Sequence, residues 1–146
     1  RVLLKKMNPY KTLRSFLRNK NKKRLINIFM MLLRISIFKY FFSFQKLMRQ
    51  VRIKEESKKK ISAEEVKLIL HLTDVVAKRI KIESCLIKSI TKFLLTSEAK
   101  EDISLNIGVK YEQKIFKSHA WITSKGLKID EPNNNFKLIK TYRNKS

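Results

Sequence analysis

The segment Glu83-Ser84-Cys85-Leu86 decides how this chain is read, because Cys85 is its only cysteine and stands where a helix is expected to begin. Downstream, Ser118-His119-Ala120-Trp121-Ile122 lies in a strand-like run and is followed by Gly126 and Asp130. A thiol at a helix start, then a histidine and an acid on consecutive strands, is the order in which cysteine-dependent acyl-transfer enzymes set out nucleophile, base and orienting acid. The helix is predicted to start at Ser84 or Cys85 and run to Leu95 or Thr96. On a helical wheel Leu86, Ile90, Phe93 and Leu94 share one side, with Ile87 at its edge, whereas Cys85 falls on the stripe of Lys88, Ser89, Lys92 and Thr96. A cysteine kept for packing belongs on the apolar side. The stripe therefore predicts a thiol presented to a cleft, with Ser89 beside it.

Toward the N-terminus, Ser62 with Glu65 three residues later reads as a capping box, each side chain satisfying a free backbone N–H of the other. Val66, Ile69, Thr73, Val76 and Ile80 then recur at helical spacing, and His71, Asp74 and Lys78 take the solvated face. Lys54 to Lys60 is a charged linker, and Asn8-Pro9 a turn signal within the polar, basic stretch 1–24. Between them Leu25 to Phe44 is apolar, with a helix expected to continue to Met48 or Val51. Arg34 and Lys39 fall near the middle of that run, and each costs about 2.5–3.5 kcal/mol at a bilayer centre. A buried or interfacial helix is predicted rather than a membrane span.

Toward the C-terminus the pattern changes to strands, Ile103 to Tyr111 and Ile115 to Ser124, with a further apolar run at Phe136 to Tyr142. Gly108, inside a strand, signals a bulge or a close backbone approach. If the chain reverses at Gly126 so that Ile122 faces Leu127, then His119 lies directly across from Asp130, close enough for the carboxylate to fix the imidazole tautomer. The other imidazole nitrogen would take the proton of Cys85, and the backbone N–H of Cys85, free in the first helical turn, would donate to an oxyanion. Trp121, two residues after His119 on the same face, is placed to wall the cleft.

The bulk numbers bound the partners. A length of 146 residues suits one domain, read as a basic helical region over 1–60 and a core over 61–146. The net charge of +23 is uneven: residues 1–60 hold 19 Lys/Arg against Glu55 and Glu56, leaving +6 for the remainder. Such a charge block favours polyanions, so a basic nucleic-acid-binding or ribosome-associated protein and a membrane-surface accessory protein are the competing readings. No recognised nucleic-acid-binding signature accompanies it, which makes nucleic acid the weaker choice. One cysteine excludes an internal disulfide, no Cys/His set has metal-ligand spacing, and a reducing, cytoplasmic setting is expected. The Leu25 to Phe44 run is too long for the apolar region of a signal peptide.

Cys85-Leu86 with its following helix, Asn106-Ile107-Gly108-Val109-Lys110, and Ser118-His119-Ala120-Trp121-Ile122 with Gly126 and Asp130 together resemble the leader peptidase of lasso peptide biosynthesis. That enzyme is the free-standing protease half of the split B protein, in the transglutaminase-like superfamily. The resemblance implies an α+β, transglutaminase-like fold with a Cys-bearing helix on a small antiparallel sheet. It further implies a cysteine peptidase whose triad falls on Cys85, His119 and Asp130 and which removes the leader from a ribosomally made precursor. Its implied partners are the precursor leader peptide, a separate leader-recognition protein, an asparagine-synthetase-like macrolactam cyclase and an exporter, beside which the chain would sit peripherally at the inner face of the membrane. It also implies a dependence on ATP, although the chain has no phosphate-binding glycine loop.

Overall fold

The computed structural model describes residues 22–43, 45, 46, 49, 60–129 and 135–144. Among the described residues, helices α1 (Lys22–Phe41), α2 (Ala63–Arg79) and α3 (Cys85–Leu95) precede strands β1 (Ile103–Glu112), β2 (Ile115–Ser124) and β3 (Lys137–Arg143). The architecture is α+β, a helical layer on a three-stranded antiparallel sheet of order β2-β1-β3.

Helix α2 starts where its sequence says it should. Ser62 Oγ accepts from the Glu65 N–H at 3.4 Å, and the Glu65 carboxylate accepts from the Ser62 N–H at 3.2 Å, closing the capping box. Val66, Ile69, Thr73 and Val76 are buried, while His71, Asp74 and Lys78 are exposed. The helix stops in a left-handed turn: Lys81 has φ 60°, the Ile82 N–H donates to Ala77 O and the Lys81 N–H to Lys78 O. That reversal, made without glycine, aims the chain into α3.

Helix α1 ends at Phe41 and does not run unbroken to the predicted Met48 or Val51: the chain bends at Phe42, and Gln45, Lys46 and Arg49 are helical again beyond the break. The run Phe38, Tyr40, Phe41, Phe42 is poor in strong helix formers, and Phe42 closes the last turn by donating to Phe38 O. Leu25, Ile28, Leu32 and Ile35 form its buried stripe and join one core with Val66, Leu72, Ile90, Phe93, Leu105 and Ile122. Among the described residues no helix is long and apolar enough to cross a membrane. Most of the Lys54 to Lys60 linker lies outside the described residues.

The predicted hairpin around Gly126 does not form. β2 instead pairs with β1 through a two-residue turn, Gln113-Lys114, both in the left-handed region at φ 50° and 64°. That pair of φ values belongs to the hairpin turn whose twist matches its strands. His119 thus stands opposite Gly108, not Asp130, and residues 125–129 leave the sheet. Asp130 lies outside the described residues. The Phe136 to Tyr142 run becomes β3, on the other edge of β1.

Candidate functional site

The register sorts side chains onto two faces, since successive residues of a strand alternate. Ile103, Leu105, Ile107, Ala120 and Ile122 face the helices and belong to the core. Asn106, Gly108, His119, Trp121 and Thr123 occupy the outer face. There the Asn106 amide donates to Thr123 Oγ1 at 2.8 Å, and Thr141 Oγ1 donates to Asn106 Oδ1 at 2.9 Å, tying the three strands together.

Gly108 earns its place on this outer face. A Cβ built there would lie 2.9 Å from Trp121 Cη2 and 3.0 Å from Lys137 O, so the indole packs directly on bare backbone. The β1–β3 register also shifts between Ile107 and Gly108. Both the bulge and the close approach that a strand glycine signals are therefore present. The His119 ring stacks on Trp121, with centroids 5.8 Å apart and planes 15° off parallel, and meets Phe136 at 5.1 Å on another side. Lys110 Nζ lies 5.5 Å from the Phe136 ring centroid. Trp121 is buried and His119 half-buried.

Cys85 is the first residue of α3. Ser84 is the N-cap, its hydroxyl accepting from the Ile87 N–H at 3.4 Å. The N–H groups of Cys85 and Leu86 have no carbonyl within the helix to bond, and no acidic residue lies in the first turn to offset the positive end of the helix dipole. Of the stripe of Lys88, Ser89, Lys92 and Thr96 with Cys85, predicted to face a cleft, Cys85 and Lys88 are half-buried, while Ser89, Lys92 and Thr96 are buried. The polar groups of these three are satisfied: Lys92 Nζ reaches Asp74 at 3.0 Å, Thr96 Oγ1 donates to Lys92 O at 2.7 Å, and Ser89 Oγ donates to Ala120 O at 2.9 Å. Ser89 is therefore not a cleft residue but a buried clip between α3 and β2.

That clip sets the position of the thiol. Cys85 is four residues from Ser89, about 6 Å along the helix axis, while β2 advances about 3.3 Å per residue. A helix fastened at Ala120 thus carries Cys85 alongside the strand near Ser118 and His119. Cys85, Leu86, Ile107, Ser118, His119 and Ala120 line a small open cavity of about 120 Å3 at this junction. Cys85 and His119 share its wall, but no hydrogen bond joins them among the described residues. Trp121 does not line it and instead supports the His119 ring from behind. Phe136, the second support, was not singled out in the sequence. Its signal was only its place at the head of an apolar run, and its proximity to His119 depends on β3 pairing with β1.

The fold and this junction define a class: an α+β protein whose Cys-bearing helix packs against a histidine-bearing edge of a small antiparallel sheet. The model of one family matches residues 29–141, and the chain belongs to that family, the transglutaminase-like superfamily, which includes cysteine peptidases and other cysteine-dependent enzymes. Comparison with curated proteins and with solved structures gives no match.

Proposed function

We propose that this protein is a cysteine peptidase of peptide natural product maturation, removing the leader from a lasso-type precursor in the cytoplasm. The observation that carries the reading is the shared cavity wall of Cys85, at a helix N-terminus, and His119, in a chain that belongs to the transglutaminase-like superfamily. Cys85 Sγ is the nucleophile and His119 removes its proton, then returns it to the leaving amine as the C–N bond breaks. The resulting thioester is hydrolysed by water with His119 as base. The Cys85 backbone N–H is a donor to the oxyanion of both tetrahedral steps. Asp130 orients the imidazole, and the leader arrives through a separate recognition protein before a macrolactam cyclase acts on the product.

No hydrogen bond joins Cys85 to His119 among the described residues, so the proton transfer requires the imidazole, now stacked on Trp121 and Phe136, to approach Sγ. Apo sites of this kind often tighten only when substrate is bound. The test is processing of the precursor by purified protein together with its recognition partner, followed by mass spectrometry. Cys85→Ala and His119→Ala are expected to abolish leader removal, and Asp130→Asn to reduce it while leaving some turnover. Unchanged processing by Cys85→Ala would end the assignment.

A further inference from the structure

Helix α1 carries two apolar stripes, and the core uses only one. Opposite Leu25, Ile28, Leu32 and Ile35 lie Ile26, Phe29, Met30, Leu33, Ile37, Tyr40 and Phe41, all exposed. Ile26, Met30 and Ile37, each more than half exposed, fall within a narrow arc of the helical wheel. Single exposed apolar residues are ordinary, but a continuous stripe along a whole helix marks a contact surface. Nothing in the fold of the described residues requires these side chains to be apolar.

The charges around the stripe choose the occupant. Helix α1 contains Lys22, Lys23, Arg24, Arg34 and Lys39 and not one acidic residue. Arg24 is taken by Glu65 at 2.8 Å. Lys22 and Lys23 lie at the N-terminal end of the stripe and Arg34 along its edge. The sequence before α1 adds Arg1, Lys5, Lys6, Lys11, Arg14, Arg18 and Lys20, again without an acid. A second copy of this chain, or its own N-terminal segment, would bring cation against cation. An anionic lipid surface satisfies both requirements, receiving the apolar stripe at the acyl boundary and the Lys/Arg heads at the phosphates.

We infer that the outer stripe of α1 is a docking surface for anionic membranes, on which the helix lies parallel to the bilayer while its inner stripe remains in the protein core. This inference is independent of the peptidase reading, because it concerns a different surface and is read by binding alone. The experiment is co-sedimentation of the full chain with vesicles of phosphatidylglycerol and phosphatidylcholine in equal parts, against vesicles of phosphatidylcholine alone. Binding is expected to the former, to weaken as salt is raised, and to be weak or absent on the latter. The combined variant Ile26→Gln, Met30→Gln, Ile37→Gln alters only exposed side chains, and its fold is checked by circular dichroism. It is expected to bind the anionic vesicles at least about tenfold less tightly. Three results would overturn the inference: no sedimentation of the parent chain with anionic vesicles, equal sedimentation of parent and variant, or self-association in place of lipid binding that the variant abolishes.

Discussion

The two faces of the sheet treat the candidate catalytic groups differently. On the inner face Leu105, Ile107, Ala120 and Ile122 join the core with α3, and the buried hydroxyls of the helix that presents Cys85 are each hydrogen-bonded. On the outer face His119 rests half-buried in a stack of rings, with no side-chain hydrogen bond among the described residues. The candidate nucleophile sits on a core helix and the candidate base in a surface cluster, and the two share the cavity wall at β2. The two residues are thus supported from opposite sides of one strand.

The sharpest break of this contrast is a cavity on the inner face. Leu105 is fully buried, and Leu105→Ala is expected to lower unfolding free energy in urea by about 2–5 kcal/mol. The rate at which iodoacetamide alkylates Cys85 in the protein still folded should stay near that of the parent.

On the outer face the order of effects should invert. Gly108→Ala forces the indole of Trp121 to move, for a smaller stability loss of about 1–3 kcal/mol. Its effect on turnover should nevertheless exceed that of Leu105→Ala in folded protein, because the support of His119 shifts. Trp121 is the only tryptophan, so a change in emission wavelength reports this displacement directly. An unchanged spectrum would show that the stack does not depend on the glycine.

The smallest effect belongs to the hairpin tip, distant from both faces of the site. Hydrogen bonds from Lys110 and then Lys117, with their positive charges, hold the Glu112 carboxyl below the usual carboxylate range. A carboxyl whose pKa is lowered by folding stabilises above its unfolded value, and that contribution is lost as pH falls through the folded one. Glu112→Gln should therefore lower the melting temperature slightly at neutral pH, and the difference from the parent should vanish in acid. Added salt should shrink it as well, since the pair is exposed.

Much of this architecture was legible in the sequence because the signals were local. The capping box at Ser62 and Glu65, the stripe on α2, the extents of β1 and β2 and the close approach at Gly108 each depend on residues near one another in the chain. Strand pairing was not legible. Gln113-Lys114 contains none of the glycine or asparagine that normally announces a left-handed two-residue turn, so the true hairpin was silent, while Gly126 advertised one that does not form. The polar stripe of α3 misled for a related reason. Thr96 bonds back to a carbonyl of its own helix, and Ser89 bonds to β2, so polar letters are buried without cost that a helical wheel can see. Cys85 and His119 were found from residue type and order. That they share a cavity required the clip at Ser89, which sequence could not supply.

The Ser89 hydroxyl has one more effect. A strand at the rim of a sheet can template the addition of a stranger, and during synthesis the nearest stranger is another copy of the same chain. By occupying a carbonyl midway along that rim with a side chain from a packed helix, the fold removes one acceptor that an added strand would need, beside the half-buried Cys85.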